Sequence, residues 1–319
     1  MNNMSDKKII AVTGATGAQG GGLAHAILND KNSEFTVRAI TRKPDSDKAK
    51  ALAKLGAEVV QADLDDLESL KKAFEGAYGV YCLTNFWEHF SAEKETNQAH
   101  SMAIAAKDAG VKHAVWSTFE DTRKYIPLSD NRMPTLNGKY KVEHFDGKSE
   151  ADHFFTDLGV PTTFLYTSFY WENLIYFGAG PAKGPDGKFY LSYPIDDKKI
   201  PSIAVDDIGK FVYGIFKSGK EYIGKTVGVA GEHLTGYQMA DTLTKVLGTE
   251  IIFNDVPADT YRAFGFPGAV DMGNMFQFKR DFDEVYCGNR NLELSRKLNP
   301  ELMTFEQWVK KNKNLIPLG

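Results

Sequence analysis

Two stretches near the N-terminus and one pair in mid-chain combine residue types and spacings that can do chemistry. Thr13-Gly14-Ala15-Thr16-Gly17-Ala18-Gln19-Gly20 carries the spacing Gly-x-x-Gly-x-x-Gly, directly after the apolar run Ile9-Ile10-Ala11-Val12 and before a helix-forming stretch. A strand that turns through glycines into a helix leaves backbone N–H groups and the positive end of a helix dipole facing a pyrophosphate. Gly14 permits the tight turn, Gly17 lets the backbone approach the phosphates, and Gly20 lets the helix pack close to the sheet. In a chain with 29 glycines the spacing alone is weak, and its place between strand and helix carries the reading.

The end of the second apolar run selects between dinucleotides. A carboxylate there accepts from a ribose 2′-hydroxyl, whereas an arginine pairs with a 2′-phosphate. Here the run ends in Thr41-Arg42-Lys43 with no acid before Asp45. A guanidinium can give two parallel hydrogen bonds to the phosphate and Lys43 adds charge, so NADP(H) is expected rather than NAD. Asp63 stands where such folds contact adenine, or else caps the following helix. At the other end of the cofactor, a short-chain reductase needs Tyr-x-x-x-Lys, in which the lysine eases proton transfer from the tyrosine, helped by a Ser or Thr donor. The chain has His144-x-x-x-Lys148, with Ser117 near the end of the fifth apolar run. His144 is an acid near neutrality by type, or a residue that caps or packs the first turn of a helix. Tyr140 is expected on the long loop before that helix.

These groups need a scaffold, and the alternation of elements supplies one. Short strands are expected at Ile9–Thr13, Thr36–Ile40, Ala57–Val60, Gly79–Leu83, Ala114–Ser117 and Pro161–Tyr166, with helices at Gly22–Leu28, Asp47–Leu55, Leu67–Phe74 and Glu93–Ala109. That order is an α/β fold, a Rossmann-type doubly wound parallel sheet. Gly56, Gly76 and Gly110 fall just beyond three helices, where a left-handed cap favours glycine. Farther on, a strand is expected at Ile203–Val205, a helix from Asp206, and a closing amphipathic helix capped by Thr304 with Trp308 in a core. The stretch Gly178–Gly187 reads as an ordered loop or an interdomain linker.

Composition excludes several classes. With 319 residues, 42% apolar and 25% charged, and a formal charge of −4, the chain has no basic footprint for nucleic acid and no span of the roughly 20 apolar residues a bilayer requires. Its opening residues show no apolar signal core, so a cytoplasmic setting without membrane is expected. Cys82 and Cys287, the two cysteines, are expected as packing residues, and no Cys or His cluster has metal-ligand spacing.

Taken together, Gly14-Ala-Thr-Gly-Ala-Gln-Gly20, Thr41-Arg42-Lys43-Pro44, Gly56-Ala-Glu-Val-Val-Gln-Ala-Asp63, Thr84-Asn85-Phe86-Trp87-Glu88, His144-Phe-Asp-Gly-Lys148, Tyr170-Trp-Glu-Asn173 and Gly265-Phe-Pro-Gly268 resemble the NmrA-like family of atypical short-chain dehydrogenase/reductases. Within it they are most similar to the NADPH-sensor (HSCARG) branch. The resemblance implies that Ala15–Gly20 wrap the pyrophosphate and Arg42 holds the 2′-phosphate. It further implies that Thr84, Asn85 and Phe86 flank the nicotinamide-side ribose, that Lys148 hydrogen-bonds that ribose, and that Tyr170, Trp171, Glu172 and Asn173 close over that end. Trp171 departs from the family pattern and is expected to add bulk there. A Rossmann domain over residues 5–167 and 203–230 is expected, with a smaller discontinuous lobe over 168–202 and 231–319.

Two functions follow as expectations. One is a redox sensor or regulator that reads the NADPH/NADP state and presents a surface to a protein partner, without efficient turnover. The alternative is an NADPH-dependent oxidoreductase acting on a quinone, aldehyde or similar small aromatic or carbonyl ligand, with Lys148 at the active site. A homodimer is compatible with either.

Overall fold

A computed structural model describes residues 7–318. The opening segment through Asp6, read above for its lack of a signal core, and the first two residues of the expected Rossmann domain lie outside the described residues. The chain forms two units. The first comprises the residues up to Asp121, His144–Tyr166 and Ile208–Val227, and the second comprises Thr122–Glu143, Thr167–Asp207 and the residues from Gly228 on.

In the first unit β1 (Lys8–Val12), α1 (Ala18–Asn29), β2 (Phe35–Thr41), α2 (Asp47–Lys54), β3 (Glu58–Gln61), α3 (Leu67–Phe74), β4 (Gly79–Cys82), α4 (Ala92–Asp108), β5 (His113–Thr118), α5 (Glu143–Asp157) and β6 (Thr162–Tyr166) alternate along the chain. The seven-stranded sheet runs in the order Thr226–Gly228, β6, β5, β4, β1, β2, β3. The reversal of direction between β1 and β4 is the crevice where doubly wound sheets take ligands. Registers within β1–β6 are parallel, with Ile10 beside both Val37 and Gly79. Parallel strands covered on both faces read as continuous apolar runs, which is why they were visible in the sequence.

Local signals set the helix ends. The Ser46 hydroxyl accepts from Ala49 N–H (3.3 Å), and Ser91 accepts from Lys94 N–H (3.1 Å). Asp66, not Asp63, caps α3, accepting from Glu68 and Ser69 N–H at 3.1 and 3.2 Å. Gly56, Gly76 and Gly110 have the expected positive φ. Helix α1 begins at Ala18 rather than Gly22, because the helix starts as soon as the glycine turn ends. One face of the sheet packs on α3 and α4 through Val80, Cys82, Trp116, Leu70, Phe74 and Met102, each buried. Every such large apolar side chain contributes roughly 1.5–3 kcal/mol.

His113 on β5 is also buried, its Nε2 2.8 Å from the Thr163 hydroxyl, and burial lowers its pKa to about 4. The unfolded imidazole titrates near 6.5, so the unfolded state binds more protons between these values and stability falls as pH drops through that window. The expected loss between pH 7 and pH 5 is about 2 kcal/mol from this group. Urea unfolding of wild type and His113→Phe should give pH slopes differing by that amount, and parallel slopes would refute the assignment.

The second unit holds two small sheets, one with Ile200–Ile203 between Glu232–Leu234 and Phe169–Tyr170, the other with Phe189–Tyr193 between Ile251–Asp255 and Ala182–Lys183. The Gly178–Gly187 stretch lies within the second unit and contains the first strand and the turn of an antiparallel hairpin. The strand expected at Ile203–Val205 ends at Ile203, because Asp207 N–H already bonds back to Ala204 O at 3.1 Å and starts the helix Val205–Lys217. Residues 122–143, inside the expected Rossmann domain, belong to the second unit. Asn274 Nδ2 donates to Pro134 O and Lys141 O, and Gln277 Nε2 donates to Arg132 O, so the helix Ala269–Asp281 holds this segment. The closing helix Phe305–Asn312 has the expected Thr304 cap, completed by Gln307 as a capping box, and Trp308 is buried. No described helix is long and apolar enough to cross a membrane.

Candidate functional site

The site is built outward from the turn between β1 and α1. Gly14 has φ +59°, a conformation that side chains rarely adopt, and it bends the chain away from the sheet. Gly17 is the N-cap of α1 without a side-chain cap bond, and the first turn carries no acid. Gly21 N–H closes the first turn onto Gly17 O at 3.0 Å, so the N–H groups before it lie outside the helix ladder. A Cβ on Gly20 would sit 2.5 Å from Gly14 O and 2.7 Å from Thr13 O, so only glycine lets the helix approach the turn this closely. Gly14, Gly17 and Ala18 are exposed, whereas Ala15 is fully buried. Thr16 reaches the Thr41 hydroxyl at 3.5 Å and so ties the turn to the end of β2. A helix end bare of acids, reached through a close-packed glycine turn, fits a pyrophosphate.

Gln19 is fixed from below. Its Oε1 accepts from the Tyr81 hydroxyl (2.7 Å) and from the Ser117 hydroxyl (3.2 Å). Ser117 therefore points its proton at the glycine turn. Tyr81 was not singled out from the sequence, since it reads there as one more apolar strand residue.

Arg42 and Lys43 are both exposed beyond β2. The Arg42 guanidinium bonds Glu88 (Nη2 to Oε1, 2.5 Å), and this contact holds it further above its ordinary pKa, aided by the charges of Asp63 and Asp65. Asp63 uses Oδ1 to accept from Asp65 N–H at 3.0 Å. After β4, Thr84 is buried, Asn85 exposed, and Phe86 opens a single 3-10 turn through Glu88.

The strongest cluster lies under Thr84. Lys148 Nζ is 2.9 Å from Glu95 Oε1 and donates to the Thr84 hydroxyl at 2.5 Å, which in turn donates to Glu95 Oε1 at 2.6 Å. The Glu95 side chain is fully buried and that of Lys148 is 8% exposed. Lys148 also lies over the Trp116 ring, 5.2 Å from its centre. Glu95 escaped the sequence reading because nothing distinguishes it from the other acids of a solvated first helical turn. His144 is in the first turn of α5 and buried. Its ring lies 4.9 Å from Trp87, 5.9 Å from Phe86, 6.1 Å from Phe119 and 4.7 Å from Phe145, which is the packing alternative raised for it. Tyr140 precedes the helix, bridged to Leu136.

Tyr170, Trp171, Glu172 and Asn173 belong to the second unit. The Trp171 ring is fully buried there against Phe305 and Trp308, at 5.4 and 6.1 Å, so its bulk fills a core and the expectation of added bulk at the nicotinamide end is corrected. Glu172 accepts from Val205 N–H (2.9 Å) and Trp308 Nε1 (2.8 Å), and burial pushes its carboxyl above the usual range. The half-buried Tyr170 donates to the Thr167 hydroxyl at 3.2 Å, and Asn173 opens a short helix.

A family model described as the NmrA-like family matches residues 6–309. The NmrA-like family domain-containing oxidoreductase FrzB of a Cladobotryum species is 32% identical over 287 residues, covering 85% of this chain and 83% of its own. Among solved structures, NmrA, a negative transcriptional regulator, in complex with NAD superposes with a TM-score of 0.77 at 22% identity, over 96% of this chain and 95% of its own. The triphenylmethane reductase of a Citrobacter species, complexed with NADP(H), gives 0.74 at 22% identity over 95% and 99%. At such identity these structures establish a shared fold.

Proposed function

The chain belongs to the NmrA-like family, and on that premise we propose that it binds NADP(H) and acts as a sensor or regulator of the NADPH/NADP state, with little dehydrogenase turnover. This aligns it with the NADPH-sensor branch. The family and its relatives support a nicotinamide dinucleotide as ligand, since NmrA is described in complex with NAD and with NADP. Within this chain the bare N-terminus of α1, the close-packed Gly20 and the exposed Arg42 fit that ligand.

One observation carries the sensor reading: the proton-transfer group of an ordinary reductase is not assembled. The lysine of such a group works by its positive charge, which makes a neighbouring hydroxyl more acidic. Here a carboxylate 2.9 Å from Lys148 offsets that charge. His144 replaces the tyrosine and is packed by four aromatic rings, and Ser117 donates to Gln19. A bound nicotinamide dinucleotide would supply the hydride, but Glu95, which pairs with Lys148, and His144, one helical turn before it, are both buried. The oxidoreductase reading retains support from the relatives so described and from the retained Lys148.

The test is twofold. NADPH titration should show saturable binding, while NADPH oxidation with a panel of quinones and aldehydes should stay at background. Turnover that disappears in Lys148→Ala would overturn the sensor reading in favour of the oxidoreductase. Arg42→Ala is expected to weaken NADP binding by about 10- to 100-fold, the size of a charge-assisted contact, and NAD binding far less. Equal losses for both would remove Arg42 as the phosphate ligand.

A further inference from the structure

The residue expected to meet the 2′-phosphate already has an anionic partner. Arg42 Nη2 lies 2.5 Å from Glu88 Oε1, with side-chain exposures of 58% and 47%, so both groups are open to an incoming ligand. Glu88 ends the 3-10 turn after β4, and that turn is held by its own backbone: Glu88 N–H bonds Asn85 O at 3.2 Å and His89 N–H bonds Phe86 O at 3.1 Å. The carboxylate is thus presented from a fixed loop across to Arg42, 46 residues away in sequence. On the Arg42 side, Gln61 Nε2 donates to the Arg42 carbonyl at 3.3 Å and Lys43 N–H donates to the Thr41 hydroxyl at 3.2 Å, which steadies the backbone beyond β2.

The other acids near Arg42 have partners elsewhere. Asp65 is paired with Lys94 at 2.9 Å and accepts from Gln98 at 2.9 Å, while Asp63 accepts from Asp65 N–H. Glu88 is the acid whose charge lies directly on the guanidinium.

We propose that Glu88 is a specificity-determining residue that competes with the 2′-phosphate for Arg42 and thereby limits the preference for NADP over NAD. This rests on the dinucleotide reading above. A 2′-phosphate carries close to two negative charges and seeks the guanidinium that Glu88 engages through Nη2, so it either displaces that carboxylate or sits beside it. A 2′-hydroxyl carries no charge and leaves the Arg42–Glu88 pair intact. The competition acts on one dinucleotide and spares the other, which is what sets a ratio of affinities. Because exposed ion pairs are weak and screened by salt, the expected effect is moderate and largest at low ionic strength.

Calorimetric titration of NADP and NAD into wild type, Glu88→Gln, Arg42→Ala and the double variant tests this. Glu88→Gln should tighten NADP by about 3- to 10-fold at low salt and change NAD by less than about two-fold. In the Arg42→Ala background most of that gain should vanish, since nothing is left to compete for. Glu88→Ala should repeat the Glu88→Gln result, which removes any dependence on the amide. If wild type binds both dinucleotides and Glu88→Gln leaves their ratio unchanged or lowers it, the role of Glu88 is overturned while the dinucleotide reading stands. If wild type binds neither, both fall together.

Discussion

Glu95→Gln is expected to lower the stability of the protein by about 3 kcal/mol, although Glu95 lies in the first turn of a helix whose neighbouring acids are solvated. The reason is the ammonium left behind. Lys148 has 8% side-chain exposure, and it bonds the Glu95 carboxylate, the Thr84 hydroxyl and the Thr84 carbonyl. An amide keeps the acceptor oxygen but removes the charge, so a buried cation remains uncompensated, and breaking a buried pair from one side costs about 3–5 kcal/mol. The exposed pair Lys245–Glu306, at 3.1 Å, is a useful contrast, since pairs of that kind contribute about 0–1 kcal/mol. Lys148→Met alone should be similarly harmful, because it strands a carboxylate whose second oxygen has no hydrogen-bond partner among the described residues. The double variant Glu95→Gln/Lys148→Met should recover much of the loss. Urea unfolding of the four proteins gives the coupling directly, and a Glu95→Gln midpoint equal to wild type would show that the pair is not formed in solution. The same cycle bears on function, because releasing Lys148 from Glu95 restores the charge that a reductase would use.

Gly209→Ala is expected to be at least as damaging, at about 3 kcal/mol or more, through backbone overlap. Gly209 lies in the helix Val205–Lys217, where an added Cβ would stand 2.1 Å from the Gly22 carbonyl carbon and 2.2 Å from Leu23 N. Neither is the far end of a side chain that can swing aside, so the helix must move off α1 or α1 must move with it. Helix α1 carries the glycine turn at its N-terminus, so dinucleotide affinity should fall along with stability. Gly288→Ala serves as control, since nothing lies within 4 Å of its added Cβ, and it should be neutral or slightly stabilising. Thermal melts and NADP titration of both variants check this. A Gly209→Ala protein that melts with wild type would mean that the two helices are farther apart than described.

The strand and helix order of the first unit was legible because each element is written locally: apolar runs for parallel strands, and Gly56, Gly76 and Gly110 at helix ends. Gly14 and Gly20 were readable for the same reason, since the turn that needs them is contained within eight residues of chain. Less was legible where an element's fate depends on what covers it. Trp171 was read as bulk beside a ligand, yet its ring packs against Phe305 and Trp308, more than a hundred residues on. Residues 122–143 read as a loop of the first unit and were claimed by Asn274 and Gln277 of the second.

The sequence by itself determined the scaffold and the glycine turn, because backbone conformation and strand patterning act over a few neighbouring residues. Only the tertiary structure decided the electrostatics of the site. Arg42 meets Glu88 across 46 residues and Ser117 meets Gln19 across 98, while Lys148 is neutralised by a glutamate on another helix. The charge a side chain presents depends on the partners that folding brings within 3 Å of it, and no local pattern records which partners those are.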